Sequence, residues 1–139
     1  MSQGVATCQP CVNTPTHSQD NAFGKDGVKA FRDALTGTGA HIVQEEYAPV
    51  ATSDFTAPAE RLFNALKGKQ GRKIIFIIWS GGGGNPFKIM DLNPGRFGIE
   101  LSSGGNILPA LANYKSMPGM EGAAYYYYES PKNKVNDWL

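Results

Sequence analysis

Residues 73–90, KIIFIIWSGGGGNPFKIM, constrain the fold of this chain more than any other stretch. A strand that is half exposed alternates apolar and polar side chains, whereas a strand covered on both faces reads as a continuous apolar run. Ile74–Trp79 is such a run, so it predicts the central strand of a parallel sheet with helices on both sides. Gly81–Gly84 follow directly, then Asn85 as a helix cap and Pro86 at the first helical position. The segment therefore encodes a strand, a glycine turn and a helix start, which is half of a β-α-β unit.

The rest of the chain repeats this alternation. Strands are predicted at Gly4–Cys8, His41–Tyr47, Lys73–Trp79, Phe97–Ser102 and Gly122–Tyr128. Val28, Phe31 and Leu35 fall at helical spacing within Gly24–Leu35, and Gly37 and Gly39 supply the stop. Residues 56–69 carry Leu62, Phe63 and Leu66 on one face, with Thr56 as cap and Pro58 in the first turn. Further helices are predicted over Asn85–Asp91, over 107–115, and from Ser130 to Leu139. Alternating strands and helices imply an α/β class fold: three α/β/α layers around a mainly parallel five-stranded sheet.

A chain of 139 residues suits one domain. A net charge of +1 and a pI near 7.7 offer no basic surface for nucleic acid or an anionic membrane. No apolar run reaches the roughly 18–20 residues of a membrane span. MSQGVATCQP has no basic segment followed by an apolar one, so the chain as it stands is expected to be cytoplasmic, and periplasmic if it is excised from a larger protein. Cys8 and Cys11 form one C-x-x-C, but the VNTPTHS that follows is poor helix material, unlike a redox motif at a helix start. With His17 as a third ligand, a zinc site would still lack its fourth. The plain reading is two thiols near a strand end, so no metal and no cofactor is expected.

Ligands of open parallel sheets bind beyond the carboxyl ends of the strands. Three predicted strand-to-helix segments meet there: DNAFGKDG (20–27), SGGGGNP (80–86) and SSGGN (102–106). SGGGGNP is neither a phosphate-binding P-loop nor a dinucleotide fingerprint. The catalytic inventory is thin. There are two histidines, no nucleophile elbow surrounds Ser80, Ser102 or Ser103, and Glu45 and Glu46 must face opposite sides of a strand. Small neutral side chains describe one wall of a polar pocket, not a catalytic centre.

Several short motifs carry a resemblance. Phe23-Gly24 opens a helix, Gly39-Ala40-His41-Ile42 begins a strand, and Asp54-Phe55-Thr56 precedes the next helix; IIFIIWSGG, GGNILPAL and GMEGAAYYYYESPKNK follow in order. The chain resembles the second lobe of type I periplasmic amino-acid-binding proteins, the leucine/isoleucine/valine-binding class of ABC transporter substrate-binding proteins. The resemblance covers 19–139 as a single α/β lobe. It leaves 1–18 as an irregular N-terminal strand and insertion, with VAT (5–7) in the place that joins QDNAFGKDG directly in a typical member. It implies non-enzymatic binding of a small amino-acid-like molecule, with Asn21, Phe23, Ser80, Gly81, Ser103, Gly104 and Asn106 as ligand contacts. The aromatic residue and acid that the second lobe contributes in the leucine-binding type have no counterparts at Gly83-Gly84 or Gly104-Gly105. Two other readings stand beside this one. A free-standing domain would self-associate as a homodimer through the former interlobe surface, with no transport role. An enzyme would work through the Cys8/Cys11 pair.

Overall fold

The computed structural model describes residues 11–106, 112, 115, 117, 120–124 and 132–138. Strands β1 (Val12–Gln19), β2 (Ala40–Ala48), β3 (Arg72–Ile78), β4 (Ile99–Asn106) and β5 (Met120–Ala124) form one sheet. Its order is β2-β1-β3-β4-β5, and every adjacent pair is parallel. Helices α1 (Ala22–Leu35) and α2 (Thr56–Leu66) follow β1 and β2. Two 3-10 turns, Pro86–Leu92 and Pro94–Phe97, link β3 to β4, and a short α3 (Lys134–Trp138) lies near the end of the chain.

The two long helices cover opposite faces, and two adjacent acids on β2 mark this. Glu45 pairs with Arg32 of α1, whereas Glu46 pairs with Arg61 of α2, whose Nε donates at 2.8 Å. Successive strand residues point to opposite sides, so the two carboxylates serve different layers. On the α2 face, Phe55, Ala59, Leu62 and Leu66 pack with Ile75 and Ile77 of β3, Ile99 and Leu101 of β4, and Ile89. On the α1 face, Val28 is buried and the rings of Phe31 and Phe76 stack with centroids 3.9 Å apart. The apolar run of β3 is thus covered on both sides. The three-layer α/β architecture expected from the sequence is the architecture found.

The first strand is where the sequence reading needs correction. Val12–Ser18, expected to be an irregular segment or an insertion, is strand β1, inserted between β2 and β3. Gly4–Cys8, where the strand was expected, lies outside the described residues. VNTPTHSQ escapes a sequence reading because its buried side chains are polar: Asn13, Thr14, Thr16, His17, Ser18 and Gln19 are each at most 4% exposed. Pro15 can sit in an interior strand because the register with β2 shifts between Thr14 and Thr16, a bulge that spares the missing N–H.

Smaller departures have local causes. β3 ends at Ile78, one residue before Trp79. The helix expected over Asn85–Asp91 is a 3-10 turn, with Asn85 Oδ1 accepting the Phe87 N–H at 2.9 Å as a cap should. Thr56 is the first residue of α2 and not its cap; the Asp54 carboxylate takes the Thr56 N–H at 2.9 Å instead. That bond, and a second with the Thr56 side chain, hold the Asp54 carboxyl below its ordinary range. Gly122–Ala124 belong to β5 as expected, and Lys134–Trp138 are helical within the span expected from Ser130. Tyr125–Tyr128 and the helix expected over 107–115 fall outside the described residues, apart from isolated positions.

Candidate functional site

An open sheet of this order reverses direction between β1 and β3, because one chain connection leaves each of these neighbours to opposite sides. The carboxyl ends beside that reversal are the ordinary place for a ligand in such folds. Here they are Gln19–Asn21 and Ile78–Gly84.

Gln19 ties the two ends together. It is fully buried, and its side chain spans the switch point. Its Oε1 accepts the Ser80 N–H at 3.0 Å and the Ser80 hydroxyl at 2.7 Å, while its Nε2 donates to the Gly81 carbonyl at 2.6 Å. A single amide thereby fixes the direction in which the glycine segment leaves the sheet. Sequence reasoning missed this residue. The only signal was a polar residue immediately before the Asp20-Asn21 helix start.

The four glycines have separate duties. Gly81, Gly82 and Gly83 all have positive φ, between 66° and 109°. At Gly83 a Cβ would lie 2.1 Å from the Val50 carbonyl oxygen, so both the conformation and the space demand glycine. Gly84 N–H then donates to the Thr52 carbonyl at 2.8 Å, and Trp79 Nε1–H donates to the Gly82 carbonyl at 3.1 Å. The segment is therefore folded back onto the loop after β2 and held at both ends, not splayed as a flexible arm.

Of the expected contact residues, four lie beside this switch point. Asn21 caps α1, its Oδ1 accepting the Gly24 N–H at 2.9 Å. Gly24 lets α1 begin against β1, since a Cβ there would meet the Gln19 carbonyl oxygen at 1.9 Å. Phe23 is 50% exposed, a large ring left in solvent beside the cap. Ser80 and Gly81 are exposed in the glycine segment, but the Ser80 hydroxyl is committed to Gln19. The remaining three sit differently from the expectation. Ser102–Asn106 was expected as a second glycine loop, yet β4 runs through it, pairing Ser103 with Ile77. Ser103 is buried in the sheet at 4% exposure. Gly104 lies against the Phe76 ring, where a Cβ would come within 3.3 Å. Asn106 is the last residue of β4, at the carboxyl edge.

Next to this edge, on the α2 face, His17 has its ring stacked on Trp79 at 5.8 Å and edge-on to Phe55 at 5.4 Å. Neither ring nitrogen has a hydrogen-bond partner among the described residues. Burial lowers its pKa to about 4; the Glu46 carboxylate opposes the shift and the Arg61 guanidinium adds to it. His41, near the start of β2, is exposed at the far end of the sheet, with Nε2 3.6 Å from Cys11 Sγ. Cys11 is disulfide-bonded, and the one other cysteine in the sequence is Cys8, outside the described residues. Among the described residues no group of three or more His, Cys, Asp or Glu is arranged to hold a metal ion, and no helix is long and apolar enough to cross a membrane.

No family model and no curated protein matches the chain. Solved structures do. An ABC-type branched-chain amino acid transporter protein from Rhodopseudomonas palustris CGA009 is 61% identical over 92% of this chain and 34% of its own, with a TM-score of 0.85. A second ABC transporter protein from Rhodopseudomonas palustris is 55% identical over 97% of this chain and 38% of its own, with a TM-score of 0.62. An ABC transporter substrate-binding protein from Sphaerobacter thermophilus, 24% identical over 67% of this chain and 25% of its own at a TM-score of 0.52, shares the fold. The chain spans about a third of the length of the first two. In sequence and in fold the chain is thus a relative of ABC-type branched-chain amino acid transporter proteins, with the parallel α/β architecture of a single substrate-binding lobe.

Proposed function

We propose that this chain is a non-enzymatic binding lobe that takes a small amino-acid-like molecule on the carboxyl edge of its sheet, at the β1/β3 switch point. The observation that carries the reading is the Gln19 bridge to Ser80 and Gly81. It holds the exposed glycine segment in a fixed direction at the place where folds of this order bind ligands. Asn21, Phe23, Ser80 and Gly81 form the nearer contacts. Asn106, at the end of β4, extends the edge, and Ser103 and Gly104 act from within the strand as its support. A relative described as an ABC-type branched-chain amino acid transporter favours a ligand with amino and carboxylate groups and an apolar side chain. Phe23 suits the apolar part, and the polar edge suits the rest.

One lobe offers an open wall, and a ligand left half exposed forfeits much of its burial. Affinity in the millimolar range, roughly −4 kcal/mol, is the expected scale. The test is a titration of the isotope-labelled chain with leucine, isoleucine and valine, followed by amide shifts. Saturable shifts grouped at 19–24 and 79–84 support the reading. Shifts that are absent up to tens of millimolar, or that scatter over the surface, defeat it. Light scattering in the same samples reports whether a second copy of the chain covers the edge instead.

A further inference from the structure

A concave site lies at the opposite end of the sheet. A groove of about 450 Å³ opens between the second half of α2, the Pro94–Phe97 turn and the first residues of β3 and β4. That volume falls within the usual range of about 300–1,000 Å³ for small-molecule sites. Its floor is apolar: Leu66 and Ile99 are buried there. Phe63 and Phe97 touch at a tilt, centroids 5.8 Å apart and planes at 49°, and together form one aromatic wall; Phe97 is 48% exposed. Rings of this kind accept a flat apolar group against their faces or edges.

The rim is cationic. Lys67, Lys73 and Arg96 line it, and Glu60 is the one carboxylate among the lining residues. None of the three cations has an ion-pair partner among the described residues. This differs from the neighbouring Arg72, which is engaged by Glu100 and Glu121. Arg96 lies over the Phe97 ring, with its guanidinium carbon 4.6 Å from the centroid, so the aromatic wall holds the cation at the mouth. Unpaired cations around an apolar floor match a ligand with an anionic head and a flat apolar body.

We infer that this groove is a binding site for small organic anions with a planar apolar body, separate from the carboxyl edge of the sheet and independent of what binds there. The head would meet Lys67, Lys73 and Arg96, and the body would lie on the apolar floor against the Phe63 ring and the exposed part of Phe97. The Arg96 fork suits an oxyanion better than a point charge would.

The experiment uses the full chain and naphthalene-2-sulfonate as the probe, with 2-naphthalenemethanol and methanesulfonate as body-only and charge-only controls. Amide shifts at residues 60–68, 73 and 96–99 should saturate below about 1 mM probe. Each control should bind at least tenfold more weakly. Arg96→Gln and Lys73→Gln should each weaken the probe about fivefold to tenfold while leaving the thermal midpoint in place, because both side chains are on the rim. Equal binding of the neutral control, shifts centred elsewhere, or unchanged affinity in both variants would overturn the inference.

Discussion

Acidification should destabilise this protein through His17. The ring is fully buried between Phe55 and Trp79, and desolvation is the largest cause of its lowered pKa, about 4. In the unfolded chain the ordinary value is about 6.5. Between those values the unfolded state binds a proton that the folded state refuses, so stability is complete above the upper value and falls as pH drops toward the lower one. Each pKa unit corresponds to about 1.4 kcal/mol, so the whole window is worth roughly 3 kcal/mol. From pH 8 to pH 5, this group alone should remove ~2 kcal/mol. That is a large fraction of the roughly 5–15 kcal/mol by which domains are stable. Urea unfolding at pH 8, 6.5, 5.5 and 5 reads the loss directly as a falling midpoint. His17→Gln should flatten the profile over this range. Should His17→Gln fail to fold, the His17 ring protons of the native chain can be followed by NMR. A ring that titrates near pH 6.5 in the folded protein, or an unchanged slope in His17→Gln, would refute the reasoning.

Other perturbations test other parts of the fold. Gly83→Ala combines a left-handed φ with a Cβ driven against the Val50 carbonyl, and should cost ~2 kcal/mol or more by thermal unfolding. Gln19→Leu leaves Ser80 N–H and the Gly81 carbonyl without their buried partner. A loss of roughly 2–3 kcal/mol is expected, with faster amide exchange confined first to Ser80–Gly84. Leu62→Ala opens a cavity beneath α2 at a site with no exposure, and should cost about 2–5 kcal/mol in chemical denaturation. Lys29→Ala breaks a solvent-exposed pair with Asp33 and should leave the thermal midpoint unchanged within error.

The layers were legible where burial is apolar. β3 declared itself because both its faces are covered by carbon, and α2 because Leu62 and Leu66 recur at helical spacing. β1 was illegible for the opposite reason. Its buried positions hold threonine, serine, asparagine, glutamine and histidine, and Pro15 argues against a strand until the bulge beside it is known. β4 was cut short because Ser103, Gly104 and Gly105 read as a loop. Pairing of Ser103 with β3 and of Asn106 with β5 overrides that preference, since strand propensity is largely a property of the surroundings. The candidate edge divides the same way. Ser80 carried the local signal of a strand end. Gln19 carried only its place before a helix start, because its role exists only once residues 61 and 62 positions away in sequence are brought beside it.

The contrast between β1 and β3 also bears on how the chain avoids aggregating. RKIIFII is the stretch most able to stack with copies of itself, since such segments need strong β preference, little charge and no proline. Arg72 and Lys73 guard one end of it and four glycines the other, which are gatekeepers against that outcome. Its neighbour VNTPTHSQ carries a proline and few apolar groups, so it is a poor template for intermolecular strands even while unfolded. A greasier β1 would read more easily as a strand, but it would set two sticky segments side by side in the sheet. The polar strand keeps that hazard confined to one seven-residue run, enclosed between β1 and β4 once the sheet has formed.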